Sequence, residues 1–213
     1  MNVLGLVQLV DAPSAGGGYP FCFGIERRAA CGDLSRPSDV LNLVQRLLKL
    51  FIGPCDGIAA GCAFRAARSS EFQGLGELCQ KLSAASPPAM SLASLHMGRR
   101  LWELSRRWDW SHPVHDQLDP MAACVDLHHA VAFGSLVSET TANPVRAVAA
   151  CLLQAARGII NTAVAAASFD DSIGRQLLWE VQPAISDIAR QYAECSPHDI
   201  ATLATDTELS NGF

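Results

Sequence analysis

Apolar residues along the chain recur at helical spacing, with no sustained alternation that would mark strands. The clearest start is at Pro37, where Ser38 and Asp39 precede apolar positions 40, 41, 44, 47, 48, 51 and 52. That spacing predicts an amphipathic helix, closed by Gly53-Pro54. Further helices are expected at about 56–68, 71–84, 90–107, 120–139, 144–167, 172–194 and 198–204. Pro87-Pro88, the WDWSHP stretch around Pro113, Asn143-Pro144 and Pro197 separate them.

The most apolar of these segments is Val145–Ala167. Its apolar residues fall at 145, 148, 149, 152, 153, 156, 159, 160, 163, 164 and 167, leaving Arg146, Gln154, Arg157 and Asn161 as one narrow polar stripe. A helix apolar over most of its circumference is expected at the centre of a bundle, and this one would be roughly 35 Å long if unbroken. The same stripe excludes a membrane span, because two arginines, a glutamine and an asparagine would cost several kcal/mol in a bilayer centre. The fold class expected is all-α: one domain over residues 1–213, about eight to ten helices around this central helix. Residues 1–26 form an N-terminal segment and loop, and 205–213 a flexible tail.

Composition narrows the function. A chain of 213 residues buries enough surface to fold without staples. The net charge of −5 and pI near 5.6 argue against nucleic acid as the main partner. The apolar start MNVLGLVQLVDA lacks a basic stretch before it, so it does not read as a signal peptide, and the cytoplasm is the expected compartment. Eight cysteines include no C-x-x-C pair and are expected to be mostly small buried apolar residues; Cys55 and Cys62 share one helix face.

The histidines are the candidate metal ligands. His112 and His115 lie in the Trp- and Pro-rich stretch, while His128 and His129 lie in the segment 120–139. Either group supplies at most two ligands to a nickel- or zinc-type ion, short of the four of a closed structural site, because adjacent His128 and His129 diverge by about 100° on a helix. A two-ligand site using His112, His115 or His128 stays open. Nucleophilic catalysis has no G-x-S-x-G to support it, and Asp170-Asp171 reads equally as a helix start.

The stretch DAPSAGGGYPFCFGIE (Asp11–Glu26) is the remaining oddity. Its glycines do not form a phosphate cradle, since no Gly-Lys-Ser/Thr or G-x-G-x-x-G follows. From chemistry alone Tyr19, Phe21 and Phe23 plug a core.

Together with three other segments, this stretch resembles the urease accessory protein UreF family. LVQLVDAPSAGGGYPFCFGIE matches the family's opening motif at Asp11, Gly17, Gly18, Tyr19, Gly24, Ile25 and Glu26. SLHMGRRLWEL is similar to its Ser-x-x-x-Gly-Arg-x-Leu segment at Ser94, Gly98, Arg99 and Leu101. HHAVAFGSL is similar to its His-x-Pro-Val-x-Phe-Gly run, and Gly174–Leu178 to its Gly-Gln-x-Leu-Leu. The chain departs from the pattern at Ala15, at Cys22, over 165–171 and in the tail Thr205–Phe213.

The resemblance implies an all-helical homodimer without catalysis of its own. It would join a UreD/UreH-type scaffold and a UreG-type GTPase to load nickel into apo-urease, with no cofactor held by this chain, no membrane and no nucleic acid. The partner-facing residues it implies are Gly17, Gly18, Tyr19, Glu26, Ser94, Gly98, Arg99, His129 and Phe213. A nickel metallochaperone, or a helical enzyme built on the polar stripe of 145–167, is the alternative that the residues alone leave open.

Overall fold

The computed structural model describes residues 1–12 and 23–201. Gly17, Gly18, Tyr19, Phe213 and the tail 205–213 lie outside the described residues, as does the glycine-rich stretch itself. Within them the chain is helical throughout: α1 (Val3–Val10), α2 (Ile25–Ala30), α3 (Pro37–Leu47), α4 (Ile58–Ser69), α5 (Leu75–Ala85), α6 (Pro88–Ser105), α7 (His112–Ala122), α8 (His129–Val137), α9 (Pro144–Ala166), α10 (Asp171–Glu180) and α11 (Gln182–Tyr192). No strand occurs among the described residues.

Local chemistry sets the starts. Pro37 opens α3 at a position whose N–H would have no helical partner, and the Arg36 N–H donates to Asp39 Oδ2 at 2.9 Å. Pro144 does the same for α9, where Asn143 Oδ1 accepts from the Arg146 N–H at 3.1 Å. Asp170 caps α10 through the Ser172 N–H at 2.8 Å, so this carboxylate is a helix-start residue.

Three expectations are corrected. Gly53-Pro54 does not end a helix. Instead α3 runs into a wider, π-type stretch, Leu48–Gly57, and on into α4, making one continuous 33-residue helix from Pro37 to Ser69. Proline lacks the N–H that an α-helix needs at its interior, and a π-type turn re-registers the hydrogen bonds around it. The carbonyl of Pro54 accepts a bond from the Ala201 N–H at 3.1 Å, so the bulge also anchors the chain after α11.

The expected helix 120–139 is two helices. His112 and His115 start α7 and do not sit in a loop; the chain then leaves the helix at 123–128, and α8 begins at His129 with His128 as its extended N-cap. The expected helix 172–194 breaks at Val181, because Pro183 in the first turn of α11 has no N–H to continue the ladder from α10.

The helix expected at the centre of the bundle is found there, beside a second, more enclosed one. α9 is the hub that α1, α2, α3, α4, α8, α10 and α11 all touch. Yet the helix enclosed on every side is the shorter α8, in which all nine residues are buried, Phe133 and Leu136 completely. Fully burying one such side chain contributes about 1.5–3 kcal/mol. α9 is buried over most of its surface and open along one strip. Both Pro37–Ser69 and Pro144–Ala166 are long and apolar enough to cross a membrane, with mean hydropathy 1.5 and 1.4, but most of their surface is buried against the rest of the chain.

Candidate functional site

Two regions collect the residues singled out in the sequence. The first is the crossing of α6 over the start of α8. Gly98 lies where α6 runs directly against the chain entering α8: a Cβ there would sit 2.7 Å from the carbonyl carbon of His128 and 2.8 Å from the amide nitrogen of His129. Only glycine permits that approach. The Ser94 hydroxyl, one turn earlier, accepts a hydrogen bond from the His129 N–H at 3.2 Å, supplying one of the amides that a helix start leaves without an intrahelical partner. The opposite face of α8 meets α4 just as closely, where a Cβ on Gly134 would come within 2.9 Å of the Ala60 Cα.

Ser94, Gly98 and His129 are therefore brought together, and they build a packing joint. Gly98 is buried and His129 has no exposed surface. His129 lies beside the side chains of Phe133 and Gln154, and burial pushes its pKa down to about 4, with Gln154 opposing. Neighbouring His128 is also enclosed; its Nε2 lies 2.8 Å from Ser83 Oγ, and burial takes its pKa to about 4 against a hydrogen bond to the Cys79 backbone. Both imidazoles are neutral at physiological pH. Arg99, the next residue after Gly98, points outward and pairs with Asp126. Glu26 is exposed on α2, two residues after Gly24 in the left-handed conformation.

Of the two histidines on α7, His112 is exposed and His115 is buried. His115 shows an arrangement that sequence reasoning missed: Nε2 lies 2.9 Å from Ser105 Oγ and Nδ1 3.3 Å from Asp119 Oδ1. A Ser–His–Asp chain is the geometry of an activated nucleophile, but Ser105 has no exposed surface and its hydroxyl donates to the Trp102 carbonyl. Asp119 also accepts from Arg106 at 2.6 and 2.8 Å and from Trp102 Nε1 at 3.0 Å. Burial raises its pKa, but these donors outweigh burial and leave it below the ordinary carboxylate value. The cluster clamps α6 to α7. The i, i+4 spacing of His115 and Asp119 was the available signal; Ser105, ten residues earlier and across a turn, had none. Among the described residues, no three His, Cys, Asp or Glu side chains come together as they would around a metal ion.

The second region is an open groove of about 1110 Å³ along α9. Its floor is Ala149, Ala150, Leu153 and Val164. One wall is α1, with Leu6, Val7 and Val10; the other is α10 and α11, with Leu178 and Ile185. The polar stripe of α9 divides here. Gln154 turns inward, fully enclosed, and donates to the Leu9 carbonyl at 2.8 Å, fastening α1. Arg146, Arg157 and Asn161 line the groove, so of the four stripe residues Gln154 alone is buried. Arg157 pairs with Asp11 at the end of α1. Beyond the groove, α1 leaves Leu4 83% and Val3 50% exposed, an apolar face on the same helix as the groove wall.

Phe23, the one aromatic of the opening stretch among the described residues, packs on Phe51 in the core with centroids 6.3 Å apart. The cysteines are mixed: Cys55, Cys62, Cys79 and Cys151 are buried, Cys195 is partly so, and Cys31 and Cys124 are exposed.

No curated protein matches the chain. The UreF family model matches residues 34–182, a span that includes α3 to α10, the α6–α8 joint and the floor of the groove. The chain therefore belongs to the UreF family, the accessory proteins of urease maturation.

Proposed function

We propose that this protein acts as a non-catalytic scaffold in urease maturation, joining a UreD/UreH-type protein and a UreG-type GTPase so that nickel reaches apo-urease. The family match over residues 34–182 carries this reading. Two features of the described chain fit it: a rigid helical body knit by close backbone crossings, and an apolar face on α1 beside a long groove, which is the kind of surface a protein partner covers. In this reading the protein works in the cytoplasm as a homodimer and holds no cofactor; nickel is cargo of the complex.

Within that scheme Glu26 and Arg99 are the family-matched side chains that present charge to solvent, while Ser94, Gly98 and His129 act by holding the shape of the body. The test is co-expression with a UreD-type protein and a UreG-type GTPase, followed by size-exclusion chromatography and by urease activity in cells lacking their own UreF. Co-elution of the three chains and restored, nickel-dependent activity are expected. Failure of both would overturn the proposal. Light scattering of the isolated chain at micromolar concentration checks the dimer.

A further inference from the structure

We infer that Cys62 and Cys195 are a thiol redox pair, oxidised by a peroxide to a disulfide that fastens the chain after α11 onto α4. Cys62 lies on α4, and Cys195 lies 133 positions later in the non-helical stretch that follows α11. The Cys62 thiol donates to the Cys195 carbonyl at 3.5 Å, so its sulfur already touches the main chain of the other cysteine. The Cys195 sulfur is turned away, towards the Gln191 carbonyl at 3.5 Å. Bringing the two sulfurs together takes a rotation about the Cys195 Cα–Cβ bond and a small shift of a segment that belongs to no helix.

Arg65, one turn after Cys62 on α4, ties the two sites together. One of its guanidinium nitrogens lies 3.4 Å from Cys62 Sγ and also donates to the Cys195 carbonyl; another donates to the Ala193 carbonyl. Burial raises the pKa of both thiols, Arg65 opposes that for both, and Asp199 adds to it for both. Both thiols are therefore protonated at neutral pH, and the pair answers sustained oxidation and not a passing trace of oxidant.

Exposure sets the order of events. Cys195 is partly exposed and Cys62 is buried, so the peroxide meets Cys195 first. The Cys195 sulfur attacks one peroxide oxygen, the O–O bond breaks, and the departing hydroxide takes up the thiol proton as water, leaving a sulfenic acid. The Cys62 sulfur then attacks the sulfenic sulfur, the S–O bond breaks, and a second hydroxide leaves as water with the Cys62 proton. Two thiols lose two electrons in all, and one peroxide becomes two waters.

The disulfide changes how the chain after α11 is held. In the reduced chain it is held by Arg65, by the Ala201 N–H on the Pro54 carbonyl at 3.1 Å, and by His198 Nδ1 3.2 Å from Lys81 Nζ on α5. Such polar contacts exchange with water, and a covalent bond does not. In a reducing compartment the bond forms under oxidative load and is reversed by thiols, which makes it a switch. The inference goes beyond the urease reading and stands without it.

The test uses the full chain carrying Cys22→Ser, Cys31→Ser and Cys124→Ser, because Cys31 and Cys124 are exposed and would form other products. Treatment with hydrogen peroxide, alkylation in denaturant and peptide mapping without reductant are expected to give a peptide cross-linked between Cys62 and Cys195, which dithiothreitol removes. The oxidised chain should show a higher urea midpoint than the reduced one and about tenfold slower amide exchange at Ala201. Neither change should occur in Cys195→Ser or Cys62→Ala; Cys195→Ser, at a partly exposed position, keeps the control readable if Cys62→Ala does not fold. Oxidation of Cys195 to a sulfinic acid with Cys62 still free, a cross-link to Cys55, Cys79 or Cys151, or a Cys62–Cys195 cross-link that moves neither the urea midpoint nor the exchange at Ala201 would overturn the inference.

Discussion

The α6–α8–α4 crossing and the α9 groove are made of the same residue types, small Ala and Gly interleaved with Leu and Val, yet one is closed and the other open. At the crossing, Gly98 and Gly134 let three helices approach until backbone meets backbone, and the joint traps His128, His129 and Ser135 without exposure to solvent. Along α9 the alanines Ala149 and Ala150 face a trough about as long as the helix itself. Small residues permit close approach but do not choose the partner. At the crossing the partner lies in the same chain; on α9 no helix within the described residues fills the place.

Breaking the closed region should have the largest effect. Gly98→Val must displace the chain at His128 and His129, so we expect a loss of about 3 kcal/mol or more, seen as a fall in the urea midpoint, against less than about 1 kcal/mol for Ala149→Val in the groove. If both cost the same, the contrast between joint and trough is wrong.

Acid should open the joint next. His128 and His129 have folded pKa values of about 4, below the ordinary 6.5, because burial disfavours the imidazolium. Above pH 6.5 both are neutral in the folded and unfolded chains, and proton binding favours neither state. As pH falls from 6.5 towards 4, the unfolded chain takes up protons that the folded chain refuses, so stability drops across that window, by up to roughly 3 kcal/mol per imidazole in the limit. Urea titrations at pH 7.5, 6 and 5 measure the slope, and His128→Gln should remove about half of the share due to this pair.

Gln154→Leu tests the seam between the two regions. It removes the donor that holds the Leu9 carbonyl and should cost about 1–3 kcal/mol, with the loss concentrated in α1, where amide exchange should speed up more than in α8. Smallest of all, Arg157→Ala breaks a half-exposed pair with Asp11 and should change stability by less than about 1 kcal/mol, an effect that fades in 0.5 M salt. A larger loss would mean that the groove wall depends on this pair.

The helices were legible because their periodicity and caps are local: Asp39, Asn143-Pro144 and Asp170 act within one turn of where they stand. Pro54 was misread for the same reason. A proline-containing stop and a proline accommodated in a π-type turn look identical until the packing around them is known. The stripe on α9 showed which residues share a face, but nothing local separated Gln154, turned in to meet Leu9, from Arg146 and Arg157, left at the rim. Of the candidate site residues, Ser94, Gly98 and His129 were recognised by resemblance; their mutual contact was not, because Gly98 and His129 are 31 positions apart in the chain. The opening motif that first suggested the family lies outside the matched span 34–182, so membership rests on α3 to α10.

The sequence by itself determined the all-helical class, the helix starts at Pro37, Pro144 and Asp171, and the family, since each depends on hydrophobic spacing, capping side chains or short motifs that neighbours in the chain complete. Tertiary structure alone decided which helix is enclosed, where Pro37–Ser69 widens instead of ending, and that the motif of Ser94 and Gly98 and the motif of His129 and Gly134 form a joint while an arginine-rimmed strip of α9 stays open. Those outcomes depend on distances between residues far apart in the chain, and such distances are set by the mutual fit of backbones and side chains that no single segment contains.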